Sequence, residues 1–228
     1  MIYQPFPNVV DRLTSYTTAF PKTKWLICGK GPTLDLDKIK RCKDAGYKLC
    51  SLNEAMLASG EEFDLVVSND VLSLGKIHIC AGQFEDLIMA IPTGLHSQHF
   101  SRVNNWTSLC EIVDIVHKHA KRIYTFDIHN LGCVQHFSTS YKINVYHSSV
   151  ESAIQIIALS GVKHIEFTGV GTGSEYFKTF KHLNEPVDMT PQLACIAKLR
   201  NVFHDVYFAG LPQGMLLNSD ETSVELGI

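Results

Sequence analysis

The sequence predicts an α/β fold, a single domain with a mostly parallel sheet and helices on both faces, and three observations lead there. Short apolar runs such as KWLIC (24–28) and FDLVV (63–67) stop at glycine, asparagine or other polar residues, as buried strands do at a sheet edge. Between many of them lie stretches of about ten to fifteen residues whose apolar positions recur at helical spacing, which is the alternation of a parallel sheet with crossover helices. Finally, 228 residues with 45% hydrophobic and 19% charged side chains suffice for one core without staples.

KWLIC is the first predicted strand, and it stops at Gly29, Gly31 and Pro32. A helix should follow, with Leu34, Leu36, Ile39 and Cys42 on one face and Gly46 as its stop. YKLCSLN (47–53) reads as a second strand, EAMLASG (54–60) as a short helix, and FDLVVSND (63–70) as a third strand with a polar end. A less regular insertion occupies about 71–105, with strands near 76–80 and 86–91 and a loop rich in Asn, Ser and His at 92–105. Leu109, Ile112, Val113 and Val116 then form a helical stripe, Ser108 and Glu111 have capping-box spacing, and RIYTFDI (122–128) is the next strand. After an excursion at 130–141, a helix is predicted over 148–160, again opened by a capping box in Ser148 and Glu151. HIEFTGVGTG (164–173) is a strand running into glycines, Thr190 and Pro191 cap and open a last helix to about Asn201, and VYFAG (206–210) is the final strand. With right-handed crossovers, this order describes one Rossmann-like domain over 1–228.

Composition narrows the function classes. Lysine plus arginine is 20 and aspartate plus glutamate 23, a net charge of −3, which argues against broad electrostatic capture of nucleic acid or anionic membrane. No apolar run approaches the ~20 residues of a membrane span, and residues 1–20 lack a basic patch followed by an apolar stretch, so a cytoplasmic location is expected. Seven cysteines (28, 42, 50, 80, 110, 133, 195) are odd in number and form no C-x-x-C pair, and they read as buried thiols. No metal site is expected: the eleven histidines form no ligand motif, and Asp35 and Asp37, though spaced D-x-D, fall where acids partner a helix dipole. A homo-oligomer stays open.

Ligands of such sheets bind beyond the carboxyl ends of the strands, which singles out 29–33, Asn53, Asn69, 147–149 and 169–173. The segment GKGPTL begins like a dinucleotide fingerprint but has Leu34 where the third glycine belongs. The second strand ends in Asn53 instead of the acid that takes a ribose, so a nicotinamide enzyme is disfavoured; a P-loop is also missing. The glycine turn either offers backbone N–H groups to a phosphate or pyrimidine edge or is a plain strand-to-helix turn. Likewise His147, Ser148 and Ser149 open a helix, where they form an anion site, a simple N-cap, or both. His182 follows the glycine loop and precedes the last helix, a place for a general base or for a structural histidine.

Taken in order, these motifs resemble the bacterial sialyltransferases of glycosyltransferase family 42, and more distantly the Rossmann-like family containing the archaeal hydroxymethylpterin pyrophosphokinases. WLICGKGPTLDL is similar to the opening strand and G-N-G-P-S-L turn, LCSLNEA and LVVSND to the next two strand ends, and HSSVESAIQIIALSGVKHIEFTGVG to the T-S-G helix and A-x-x-L-G-x-x-x-I-x-L-x-G-x-D. KHLNEPVDMTPQLACIAKLR resembles the stretch in which the catalytic histidine precedes the last helix, and the likeness covers most of the chain outside roughly 71–140. The resemblance implies that Gly29, Lys30, Gly31, Pro32, Thr33, Asn53 and Asn69 face the CMP part of a CMP-activated sugar, with Gly169, Gly171 and Thr172 completing the donor site. It implies that Ser148 and Ser149 bind the phosphate, that Tyr176 stabilises the charge on the departing phosphate, and that His182 takes the proton from a glycan hydroxyl. Transfer would be a single inverting displacement without metal or cofactor.

The chain departs from this pattern at Lys30 in place of asparagine, at Gly171 in place of the aspartate of G-x-D, in having one tyrosine where the family generally has two, and in a shorter loop between Gly173 and His182. A pterin pyrophosphokinase would carry T-D-L-D-G at the third strand end, where this chain has Ser68-Asn69-Asp70. A nucleotide-binding protein without turnover is a third reading.

Overall fold

The computed structural model describes residues 8–69, 88–92, 123–129, 142–144, 148–171, 177–183 and 190–211. Its centre is one sheet of eight strands in the order β6-β5-β4-β3-β2-β1-β7-β8, and every neighbouring pair is parallel. The strands are β1 (Trp25–Cys28), β2 (Lys48–Leu52), β3 (Leu65–Val67), β4 (Ile88–Pro92), β5 (Ile123–His129), β6 (Lys142–Asn144), β7 (His164–Thr168) and β8 (Tyr207–Ala209). From β1 the chain steps outward strand by strand to β6, then returns to the other side of β1 with β7 and β8. The order therefore reverses between β1 and β7, the switch point at which such sheets open a ligand crevice. This is the expected Rossmann-like α/β architecture.

A parallel sheet covered on both faces needs nearly continuous apolar strands, and WLIC and LVV are wholly buried. Alternation sorts their side chains into two layers. Trp25, Ile27, Cys50, Leu52, Leu65 and Val67 pack with helices α1 (Val9–Ala19), α3 (Ser149–Leu159) and α4 (Thr190–Val202). Leu26, Cys28, Leu49, Val66 and Met89 pack with α2 (Leu36–Asp44) and two 3-10 helices, Asn53–Ala58 and Lys178–Leu183. In α3 every residue from Ser149 to Ala158 is buried, because the sheet lies on one side of the helix and α1 and α4 contact it on others.

Helix α1 lies in a stretch to which the sequence reading assigns no element. Asn8 is its N-cap, accepting from Val10 N at 2.8 Å, and Val9, Val10, Leu13 and Thr17 face the core. On the other layer Asp35 caps α2 by accepting from Lys38 N at 2.9 Å, and the chain leaves that helix at Gly46, with φ of +80°. The short helix expected at 54–60 is the 3-10 turn Asn53–Ala58. The strand expected at 76–80 and the helical stripe around 109–116 lie outside the described residues. The stretch 71–105 contributes β4, between β3 and β5.

A polar staple ties α2 to β7. Lys38 Nζ is 3.1 Å from Glu166 Oε2 and donates to Phe167 O at 3.1 Å, while the Tyr47 hydroxyl donates to Glu166 Oε1 at 2.5 Å and His164 Nε2 lies 3.1 Å from the same oxygen. Burial pushes the Glu166 carboxyl upward, but the hydrogen bonds from Tyr47, His164 and Lys38 outweigh it and hold it at about 2. Burial and the bond to that carboxylate push the Tyr47 phenol up. Among the described residues no helix is long and apolar enough to cross a membrane. The described cysteines 28, 42, 50 and 195 are buried free thiols, as expected, and the remaining three lie outside the described residues.

Candidate functional site

At the β1–β7 switch the two glycine turns close on each other. Gly29 N donates to Thr168 O and Gly31 N to Gly169 O, both at 2.8 Å. A Cβ on Gly29 would lie 2.3 Å from Gly169 O, and one on Gly169 would lie 2.3 Å from Gly29 O, so only glycine fits this approach. Asp35 N donates to Thr168 Oγ1 at 2.8 Å, and that hydroxyl donates on to Thr33 O at 3.2 Å. Of the two readings of this turn, the plain strand-to-helix turn describes Gly29 and Gly31, whose amides are engaged by Thr168 at the end of β7 and by Gly169 just beyond it. Pro32 has no N–H, and the N-terminus of α2 carries the Asp35 carboxylate.

One strand further, side chains take over. Asn53 follows β2 with φ of +51°, a left-handed conformation that asparagine tolerates better than most residues. Ser51 holds this turn, donating to Asn53 O and accepting from Met56 N, each at 2.9 Å. Asn53 Oδ1 accepts from Ser68 Oγ at 2.9 Å and from Ser149 Oγ at 3.2 Å. Asn69 N donates to Ser149 Oγ at 3.2 Å, and Ser152 Oγ donates to Asn69 Oδ1 at 3.1 Å. Ser51, Ser68, Ser149 and Ser152 are buried, whereas Asn53 and Asn69 are half-buried. Both carboxamide oxygens are thus turned into the protein. Neither carboxamide nitrogen has a hydrogen-bond partner among the described residues, which leaves two NH₂ groups of fixed orientation at adjacent strand ends.

At the start of α3, Ser148 has extended N-cap backbone, but its side chain makes no capping bond. It accepts instead from Gln192 Nε2 of α4 at 2.6 Å and lies 3.5 Å from Glu151 Oε1, so the expected capping box is corrected: the hydroxyl is held by tertiary contacts. Gln192 is buried, and its Oε1 has no hydrogen-bond partner among the described residues. Glu151 is fully buried, and burial followed by this carboxylate pushes the Cys195 thiol up to about 11.

Lys30 and Glu54 complete the described edge. Lys30 Nζ lies 3.1 Å from Glu54 Oε2, with the side chains only 16% and 4% exposed. Lys30 O accepts from Phe177 N at 2.7 Å, and Phe180 is buried in the α2-side layer, so the 3-10 segment Lys178–Leu183 is pinned beside the β1 turn. His182 belongs to that segment by its backbone; its side chain, His147, Thr172 and Tyr176 lie outside the described residues. Gly169 and Gly171 are buried beyond β7.

The structure thus brings together Asn53, Asn69 and Ser149 in one cluster and joins Gly29 and Gly31 to Gly169 in another. Pro32 and Thr33 are exposed and join neither cluster by a side-chain hydrogen bond. Sequence reasoning missed Ser51, Glu54, Ser68, Ser152 and Gln192. Ser68 and Glu54 adjoin the two asparagines and Ser152 lies three residues beyond Ser149, so local spacing held a signal for them. Gln192 is brought in by the packing of α4 alone. Chemically the edge offers amide and hydroxyl groups and one paired ammonium, with no cluster of three metal-ligating side chains among the described residues.

No family model and no curated protein matches the chain. Among solved structures it is similar to a Coccidioides immitis protein described as a fructose-1,6-biphosphate aldolase, at 9% identity and a TM-score of 0.29, over 90% of this chain and 78% of that one. It is also similar to the Bordetella bronchiseptica enzyme WbmH in complex with NAD+, at 10% identity and a TM-score of 0.24, over 83% and 75%.

Proposed function

We propose that the chain is a sialyltransferase-like glycosyltransferase that takes a CMP-activated sugar as donor and transfers it with inversion to a glycan hydroxyl. The observation that carries this reading is the shared cluster of Asn53, Asn69 and Ser149. Three residues chosen from three separate strand and helix ends converge on one hydrogen-bond network and present two fixed NH₂ groups. Such donors suit the carbonyl and ring-nitrogen acceptors of a pyrimidine and the hydroxyls of a ribose. The start of α3 beside them favours the phosphate.

In this mechanism His182 takes the proton from the acceptor hydroxyl as its oxygen attacks the anomeric carbon. The glycosidic electron pair leaves with CMP, and Tyr176 donates to the departing phosphate. No metal takes part.

Thermal denaturation with CMP, CDP, UDP, GDP, ATP and a pterin tests the donor. A ligand at a hundred times its dissociation constant adds about 2.7 kcal/mol. Stabilisation by a cytidine nucleotide is expected, and a response to none of them overturns the reading. His182→Ala should abolish transfer while leaving CMP binding nearly intact; loss of both to the same degree would make His182 structural. Binding with no hydrolysis or transfer of a CMP-sugar by the unaltered protein would make the chain a nucleotide-binding module.

A further inference from the structure

Each serine hydroxyl of the ligand edge carries one proton, and the hydrogen bonds show where those protons go. Ser51 donates to Asn53 O, Ser68 and Ser149 donate to Asn53 Oδ1, and Ser152 donates to Asn69 Oδ1. Ser148 donates towards Glu151 Oε1, 3.5 Å away, and accepts from Gln192 Nε2. An ionised phosphate oxygen only accepts, so a hydroxyl whose proton is held by a protein oxygen has no hydrogen to offer it.

The Ser149 oxygen accepts from the backbone N–H of Asn69, so its proton is directed at the Asn53 carboxamide, whose carbonyl oxygen meets both this hydroxyl and that of Ser68. Asn69 is oriented in the same way by Ser152, one turn further along α3. Ser149 and Ser152 are 6% and 0% exposed, whereas the two asparagines are half-buried. Both hydroxyls come from one helix and both asparagines follow neighbouring strands, so α3 fixes the two carboxamides relative to each other. A carboxamide whose oxygen is not held can turn over and exchange its donor for its acceptor.

We propose that Ser149 and Ser152 are positioning residues, which act through Asn53 and Asn69 to make the site a fixed pair of carboxamide donors, and that neither hydroxyl binds the phosphate. The inference rests on the donor reading above and deepens it. It moves Ser149 from the phosphate to the nucleoside end and adds Ser152, a residue the sequence reading passed over. Losing either hydroxyl then weakens nucleoside and nucleotide alike, because the group that meets the ligand is the amide and not the serine.

Calorimetric titration of CMP and of cytidine into the full chain tests this with Ser149→Ala, Ser152→Ala, Asn69→Ala and the double variant Ser152→Ala/Asn69→Ala. Ser149→Ala and Ser152→Ala should each weaken both ligands by about threefold to tenfold, with the ratio of the two affinities changing by less than about twofold. In the Asn69→Ala background, Ser152→Ala should change affinity by less than about twofold, since its action runs through that amide. A loss confined to CMP in Ser149→Ala, no loss in Ser152→Ala, or full additivity of Ser152→Ala with Asn69→Ala would overturn the inference. The motion of the side-chain NH₂ groups, read by NMR relaxation, tests the positioning without a ligand. Both groups should be rigid in the unaltered protein, and Ser152→Ala should loosen that of Asn69 while leaving that of Asn53 unchanged. If the unaltered protein binds neither CMP nor cytidine, the donor reading falls on its own and the NMR measurement decides. An Asn69 group that is mobile in the unaltered protein, that Ser152→Ala leaves unchanged, or that loosens together with Asn53 overturns the positioning role.

Discussion

The ends of β1 and β7 and the ends of β2 and β3 lie along the same edge of one sheet, yet they handle their polar groups in opposite ways. At β1 and β7 the backbone satisfies itself: two glycine turns interlock, and the amides that such turns usually present to a ligand are bonded to carbonyls. At β2 and β3 the side chains do it: serines point their hydroxyls at two asparagine oxygens, and the two carboxamide nitrogens have no hydrogen-bond partner among the described residues. A glycine-rich turn at a switch point is therefore no proof of a backbone phosphate cradle. Here it fixes the relation of β1 to β7, and the cluster of polar side chains sits one strand away, with the Lys30–Glu54 pair between.

The comparison is broken most severely at Gly169. Gly169→Ala would set a Cβ 2.3 Å from Gly29 O at φ of +64°, and a clash with backbone cannot be relieved by a rotamer change. A loss of more than ~4 kcal/mol, read by chemical denaturation, or failure to accumulate as folded protein is expected. A near-native midpoint would mean that the turns do not interlock.

Asn53 comes next. Asn53→Ala removes the acceptor for two buried hydroxyls and places alanine at φ of +51°, for a combined loss of ~2–3 kcal/mol. Asn53→Gly relieves the backbone part alone, so the difference between the two variants separates conformation from hydrogen bonding.

Glu166 gives a smaller effect with a pH signature. Its folded value of about 2 lies below the ~4.3 of an unfolded glutamate, so the unfolded chain binds the proton more readily. The staple's contribution is complete above about pH 4.5 and is lost as pH falls towards 2. Glu166→Gln should lower stability at neutral pH by ~1–2 kcal/mol and flatten this acid limb, measured by denaturant melts across pH 2–7. An acid limb of unchanged slope would assign that dependence to other carboxylates.

The smallest effect is expected at Thr33, an exposed residue of the β1 turn whose carbonyl is engaged while its side chain makes no hydrogen bond among the described residues. Thr33→Ala should shift the unfolding free energy by less than ~0.5 kcal/mol. A larger loss would show that this turn depends on side chains after all.

Much of the layout was legible because strands buried on both faces must be apolar throughout. KWLIC, YKLCSLN and FDLVVSND announce β1, β2 and β3 and where each ends, and HIEFTG announces β7. Asn53 and Asn69 could be picked as ligand-edge residues for the same reason, as polar residues at the end of apolar runs. Helix α1 was not read from its pattern, although Asn8 before Val9, Val10 and Leu13 is an N-cap followed by an amphipathic stripe. The capping box at Ser148 misled because its spacing is real while a tertiary partner, Gln192, takes the hydroxyl.

The sequence by itself determined the α/β class, the strand ends and the glycine turns, since burial and turn chemistry are local properties written in residue type. Only the tertiary structure decided which of those ends meet. That Gly29 abuts Gly169, that Ser149 reaches Asn53 across 96 positions, and that Lys30 faces Glu54 follow from strand order and helix packing. These depend on contacts between residues far apart in the chain, and no local pattern encodes them.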